Sequence, residues 1–136
     1  STISVFLISL GAAGFAREQH VDEVLILNHE NQVLEASKSN VMLVQGSELI
    51  TPPLSSGALR GVMREVVLGL APQLGLDIRE EVFSPFALQS AEEVWLTNAV
   101  HGVASVQKFR KTEYGSVRAE AMQKLVIDRA QKAQFQ

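Results

Sequence analysis

Apolar residues in this chain occur in short runs separated by polar turns, and the length of each run separates strands from helices. Runs of four to eight residues bounded by turn formers are typical of buried strands. Such runs predict strands at Val24 to Leu27, Gln32 to Ala36, Val41 to Val44, Glu48 to Ile50, Leu76 to Val82, Val94 to Leu96 and Val103 to Phe109. Asn28 to Asn31 predicts a hairpin turn.

Longer segments predict helices. Between Leu59 and Leu70, apolar residues recur at spacings of three and four, which is typical of an amphipathic helix. A second such helix is predicted from Ser116 to Lys132, and a short one after Ser84, which is suited to an N-cap before Pro85.

The first segment, Ile3 to Ala16, is apolar along most of its length. It is shorter than the ~20 apolar residues that span a membrane, and no basic region precedes it as in a signal peptide. We expect a buried helix here. The whole pattern then predicts one mixed α/β domain, with a largely antiparallel sheet and flanking helices.

Composition excludes several kinds of function. The 136 residues carry a formal net charge of -3, so nucleic acid is not an expected partner. The chain contains no cysteine, which fits a reducing compartment such as the cytoplasm and excludes disulfides and thiol nucleophiles. Its three histidines, His20, His29 and His101, do not have metal-binding spacing, and only His101 is a candidate to face a site. The sequence contains no Gly-x-Ser-x-Gly pattern, so a serine hydrolase is not supported.

Three segments combine small residues, polar groups and strand-to-helix turns. Glu35 ends an apolar strand, where a carboxylate is costly unless it is paired or solvated. Ser55 to Arg64 contains two glycines before the amphipathic helix, whose N-terminus can bind phosphate. Trp95 to Val103 interrupts an apolar strand with small polar residues, which suits close approach to a ligand. A solvated strand end, an ordinary turn and an irregular loop are the structural alternatives.

In this order and spacing, the three segments resemble the class IV aminotransferases, a family that includes branched-chain and D-amino acid aminotransferases and aminodeoxychorismate lyases. The stretches that carry the resemblance are Asp22 to Asn28, Glu35 to Asn40, Leu49 to Leu59, Gly61 to Arg64 and Glu92 to Asn98. The resemblance implies the fold of the large, C-terminal, cofactor-binding domain of D-amino acid aminotransferase-like enzymes over residues 1–136. The family's small N-terminal domain is absent from this sequence.

The resemblance implies pyridoxal 5'-phosphate as the cofactor and no metal. Glu35 is then the carboxylate that bonds the pyridine nitrogen. Gly61, Val62 and Met63 are expected to bind the phosphate through main-chain amides, with Asn98 and Ala99 on its other side. Lys38 and Ser39 are candidates for the substrate side, Lys38 having the alternative of a solvated loop charge.

Two residues favour one subfamily over the other. Met63 and Ala99 stand where aminotransferases often have threonine, so Gly-Val-Met-Arg and Thr-Asn-Ala look more like aminodeoxychorismate lyases. The lyase reaction eliminates pyruvate to give 4-aminobenzoate, whereas an aminotransferase passes an amino group to a keto acid. Both readings remain open, and in both the substrate is a small amino compound.

The chain departs from the family at the residue that holds the cofactor covalently. The family's spacing back from Glu35 puts the Schiff-base lysine at Ser1 or Thr2, and no lysine precedes Lys38. Phe6 lies where many members have a tyrosine. We expect this chain alone to be inactive, either as one part of an enzyme or as a non-catalytic relative that binds a ligand or dimerises. A homodimer, or association with the missing N-terminal domain, follows from the resemblance.

Overall fold

A computed structural model of the chain describes residues 4–10, 23–27, 30–36, 39–56 and 61–134. Within these ranges it contains nine strands and three α-helices. The strands are β1 Ser4–Leu10, β2 Glu23–Leu27, β3 Val33–Ala36, β4 Asn40–Gln45, β5 Glu48–Thr51, β6 Asp77–Glu80, β7 Glu93–Asn98, β8 Gly102–Phe109 and β9 Thr112–Glu113. The helices are α1 Val62–Leu70, α2 Pro85–Ser90 and α3 Val117–Gln134.

The strands form one sheet in the order β3-β2-β1-β8-β7-β4-β5-β6, with β9 paired to β8. Only β5 and β6 pair in parallel, and the other pairs are antiparallel. Ala36, the last residue of β3, and Ser39, just before β4, exchange backbone hydrogen bonds. The end strand β3 therefore meets β4, and the six strands from β3 to β4 curl back on themselves.

Two hydrophobic clusters lie on opposite faces of this curled sheet. One fills the inside and is closed by α2; its buried residues are Leu27, Val33, Ala36, Val41, Leu43, Ile50, Phe83, Leu88, Ala91, Val94, Leu96, Val106 and Phe109. The other lies beneath α1 and α3; its buried residues are Met42, Val44, Leu49, Val67, Leu70, Ala71, Leu76, Trp95, Val103, Ala119, Met122 and Val126. Alternation along β4 and β7 divides their side chains between the two clusters.

The predicted helix at Ile3 to Ala16 is wrong where the structure describes it, because residues 4–10 form strand β1. β1 pairs with β2 on one side and β8 on the other. A strand whose two faces are both buried can be continuously apolar, and such a sequence does not alternate and is not distinguishable from a buried helix by periodicity. Val5, Phe6 and Ile8 are residue types that favour strands. Residues 11–16 lie outside the described residues.

The mixed α/β class and the largely antiparallel sheet are confirmed. The amphipathic helix is α1, the helix after Ser84 is α2, and the C-terminal helix is α3. Ser84 is the N-cap residue of α2 by position, but its side chain makes no capping hydrogen bond. β9 was not predicted, and β7 continues two residues beyond the predicted strand end to Asn98. No helix in the described ranges is long and apolar enough to cross a membrane.

Candidate functional site

The segments singled out by sequence meet at one end of the sheet. β4 begins there, since Asn40 pairs with Thr97 near the end of the antiparallel strand β7. β5 ends there too, where the Thr51 hydroxyl donates to the Val41 carbonyl at 2.8 Å. Asn98, the last residue of β7, is opposite Gly102, the first of β8. The start of α1 completes this sheet end.

Gly61 brings the start of α1 directly against β4. It is the N-cap residue of α1, and as a glycine it has no side chain with which to cap the helix. A Cβ atom on Gly61 would overlap Oδ1 of Asn40, which is 2% exposed, so only glycine permits this approach. The first N–H groups of a helix have no partner within it and carry partial positive charge, so this end of α1 can bind an anion. Val62 is exposed and Met63 is partly buried on the α1 side of the sheet.

Arg64 fixes the first turn of α1 to the strands beside it. The side chain is 2% exposed, and its guanidinium contacts Glu65 at 2.6 Å, Glu80 at 2.5 Å and the Pro52 carbonyl at 3.3 Å. The two carboxylates offset the buried positive charge, while the buried Nε has no hydrogen-bond partner among the described residues. It is a positioning residue that joins α1 to the end of β5 and to β6.

The side chain of Asn98 organises the turn between β7 and β8. Its Oδ1 accepts hydrogen bonds from the amides of Val100 at 3.0 Å and His101 at 2.8 Å. Its Nδ2 donates to Oγ of Ser39 at 3.1 Å. These bonds close the turn and tie it to the end of the β3–β4 connection. Within the turn, the Asn98 side chain accepts from the amides of residues 100 and 101 but not from the amide of Ala99.

Thr97 adds a buried polar atom with no partner. The residue is 1% exposed, and its Oγ1 makes no hydrogen bond to any part of the chain that the structure describes. Alternation in β7 places it on the same sheet face as Trp95 and on the opposite face from Leu96. An unmade hydrogen bond in a buried position costs about 1–3 kcal/mol, which a bound polar ligand would offset. With the start of α1 and the close approach at Gly61, the hydroxyl fits an anionic, hydrogen-bonding ligand.

The other predicted site residues are placed as follows. Glu35 lies in β3, its backbone paired with Ile26, while its side chain is outside what the structure describes. Ser39 is buried and contacts Asn98. Lys38, Ser1 and Thr2 are outside the described residues. His101 is exposed in the β7–β8 turn and contributes its backbone to it.

Sequence reasoning placed Asn40 and Thr97 within the stretches that carry the resemblance but gave them no role, and it did not single out Gln123. Gln123 lies on α3, 20 residues after Val103, and it bonds the backbone on both sides of Gly102. A polar residue beside the buried Met122 on an otherwise apolar helix face was the available signal. Its target depends on the packing of α3 against β8, which periodicity does not specify.

Comparison with known proteins gives the family. The model of the family described as amino-transferase class IV matches residues 3–109. A Thermotoga maritima protein named "Probable branched-chain-amino-acid aminotransferase" is 40% identical over 115 residues, covering 79% of this chain and 42% of that protein. The aminodeoxychorismate lyase of Bacillus subtilis is 33% identical over 105 residues, covering 77% and 36% respectively.

The fold agrees with these similarities. The crystal structure of 4-amino-4-deoxychorismate lyase from Pseudomonas aeruginosa superposes with a TM-score of 0.72 at 28% identity. The superposition covers 76% of this chain and 39% of that one. The chain therefore spans less than half the length of the relatives it matches.

Proposed function

The chain belongs to the class IV aminotransferase family, and from this membership we propose that it is the cofactor-binding domain of an enzyme dependent on pyridoxal 5'-phosphate. The observation that carries the proposal is the placement of the start of α1 and the β7–β8 turn at one sheet end, where Gly61 lies against Asn40 and Asn40 pairs with Thr97. The buried hydroxyl of Thr97, which has no partner among the residues that the structure describes, supports a polar ligand there.

Residues on two sides of the site would hold the phosphate of the cofactor. The main-chain amides of Val62 and Met63 would hold the phosphate from the α1 side, where the helix dipole favours negative charge. Gly61 makes room for this approach, and the amide of Ala99 would close the opposite side. Asn98 acts mainly through the shape of the turn, since its amide group bonds Ser39, Val100 and His101.

Glu35 would hold a proton on the pyridine nitrogen through a charge-assisted hydrogen bond. Pyridoxal phosphate, when bound, supplies a ring that accepts the electrons left on a substrate's α-carbon. Lys38 and Ser39 remain our candidates for the substrate side. Ser39 would be held in position by Asn98, whose Nδ2 donates to its hydroxyl oxygen.

We also propose that this chain binds the cofactor without a covalent bond. The family's lysine position falls at Ser1 or Thr2, and neither residue carries an amine side chain. Borohydride treatment in the presence of pyridoxal phosphate should leave no reduced adduct on a specific lysine. An adduct mapped to Lys38 by peptide mass spectrometry would contradict this.

Two reactions fit this site, each with its own support. Met63 and Ala99 in place of threonines support elimination of pyruvate to give 4-aminobenzoate. The 40% identity to the Thermotoga protein supports amino transfer between an amino acid and a keto acid. Assays of pyruvate release and of keto acid amination separate the two. Activity in neither assay, with cofactor binding intact, would favour a non-catalytic ligand-binding or dimerisation module.

Fluorescence of Trp95 tests cofactor binding directly. This tryptophan is the only one in the chain and lies on β7, two residues before Thr97. Titration of the full chain with pyridoxal phosphate should quench its emission saturably. Glu35→Gln should weaken binding because a neutral amide does not favour the protonated pyridine, whereas the matched change at exposed Glu113 should not. Absence of saturable quenching would contradict the proposed function.

We also propose a homodimer, on the basis of family membership. Light scattering of the chain in solution measures its mass and tests this proposal.

A further inference from the structure

We propose that Gln123 of α3 positions the backbone of the β7–β8 turn so that the turn can bind the cofactor's phosphate. This inference rests on the proposed function. Gln123 Oε1 accepts a hydrogen bond from the Val103 amide at 2.8 Å, and Nε2 donates to the His101 carbonyl at 2.9 Å. One side-chain amide thus holds the backbone immediately before and immediately after Gly102.

The backbone at Gly102 is shaped for this contact. Gly102 has φ +75°, a conformation that residues with a side chain rarely adopt. A Cβ atom there would overlap Oε1 of Gln123. The missing side chain therefore leaves the space through which the glutamine reaches both neighbouring peptide groups. The close fit between these two residues distinguishes the contact from an incidental surface hydrogen bond.

Gln123 and Asn98 hold the turn from its two ends. Asn98 accepts from the amides of Val100 and His101, while Gln123 takes the His101 carbonyl and the Val103 amide. Ala99 lies between β7 and these fixed groups, so the direction of its amide depends on both side chains. Because an oriented amide binds an anion without a further cost of ordering, loss of Gln123 should weaken phosphate binding specifically.

α3 is itself fixed to β7, so the glutamine has a rigid support. Glu93 of β7 accepts hydrogen bonds from the amides of Arg118 at 3.0 Å and Ala119 at 2.9 Å, in the first turn of α3. Met122, next to Gln123, is fully buried against the sheet. The position of Gln123 relative to the turn is therefore set by the core rather than by the loop.

The test compares two ligands that differ only in the phosphate. Affinities of pyridoxal phosphate and pyridoxal are measured by Trp95 quenching for the wild-type chain, Gln123→Met and Gln131→Met. Methionine keeps the length of glutamine without its amide, and Gln131 is an exposed residue of the same helix. Gln123→Met should bind pyridoxal phosphate about fivefold more weakly, the effect of one net hydrogen bond, with pyridoxal affinity unchanged. Gln131→Met should match the wild type.

Equal weakening of both ligands, or of neither, in Gln123→Met would overturn the inference and leave the proposed function standing. A wild-type chain with no preference for pyridoxal phosphate over pyridoxal would instead overturn the proposed function, and this inference with it. The two failures are distinguishable because the second is judged on the wild type alone.

Hydrogen exchange of the wild-type chain gives a measurement that does not depend on folding of a variant. If phosphate binding and the Gln123 contacts stabilise the same turn, the ligand must strengthen the contacts in return. Pyridoxal phosphate should slow exchange of the Val103 amide more than pyridoxal does. Equal exchange with both ligands, in samples saturated with each, would overturn the inference.

Discussion

Thr51 and Thr97 are both buried at the same end of the sheet, but their hydroxyl groups have different surroundings. The Thr51 hydroxyl donates to the Val41 carbonyl, whereas that of Thr97 has no partner in the described part of the chain. Thr51→Val should lower the free energy of unfolding by about 1 kcal/mol, since it removes a buried hydrogen bond. Thr97→Val should leave that free energy unchanged or raise it, because it removes an unsatisfied polar atom of similar shape. Urea unfolding of the two variants without ligand measures both effects.

If the Thr97 hydroxyl serves a bound ligand, Thr97→Val should also weaken pyridoxal phosphate binding although the protein is no less stable. Thr51→Val is the matched control, being the same substitution at the same sheet end. A destabilised Thr97→Val variant would mean that the hydroxyl has a structural partner, and its ligand role would then be lost.

Tyr114 makes the free energy of unfolding depend on pH in the alkaline range. Its hydroxyl donates to the Leu88 carbonyl at 2.5 Å, and burial raises its pKa from 10.0 to about 12. The folded state favours the neutral phenol, so its contribution to stability is complete below pH 10 and is lost as the pH rises toward 12. The loss should be about 1–2 kcal/mol, after allowance for solvent screening at a half-buried site. Thermal unfolding between pH 9 and pH 12 should show a shallower decline for Tyr114→Phe than for the wild type, and parallel curves would contradict this.

At the scale of elements, α3 depends on a carboxylate from β7. Glu93 is 4% exposed and accepts bonds from the Trp95 indole at 3.0 Å and from the amides of Arg118 and Ala119. Glu93→Gln replaces one acceptor oxygen with an NH₂ group that faces donors, so we expect a loss of about 2–4 kcal/mol. The matched change in the neighbouring residue, Glu92→Gln, should cost less than about 1 kcal/mol because Glu92 is half exposed. Denaturant unfolding measures both, and equal losses would contradict the capping role.

The sequence predicted those elements whose pattern has a single physical explanation. α1 and α3 were found because a helix with one buried face needs apolar residues at spacings of three and four. β1 was missed because its sequence is apolar along most of its length and lacks the alternation that distinguishes a strand from a buried helix. β9, at two residues, is too short to leave any pattern.

The site required information at the scale of the whole molecule. Gly61, Asn98 and Ala99 were identified through family resemblance, and the structure brings Gly61 and Asn98 to one sheet end. Asn40 lies in a stretch that carries the resemblance but was given no role, and Gln123 was not identified, because their partners are residues 20 positions or more away in sequence and only the pairing of β4 with β7 and the packing of α3 bring them together. A local pattern contains no information about such partners. The domain assignment and the role of Glu35 stay predictions that the proposed experiments test.

The β6 edge of the sheet has a consequence for the behaviour of the protein at high concentration. β6 is the last strand in the order, and all four of its residues, Asp77 to Glu80, are exposed. Three of the four are charged, so another chain that added a strand here would have to desolvate these charges or place like charges opposite one another. Arg79 is already paired with Glu48 and Glu81, and Glu80 with Arg64. Intermolecular strand addition, the first step toward fibrils, is therefore disfavoured at this edge, and one of these salt bridges, Arg64–Glu80, also holds the start of α1.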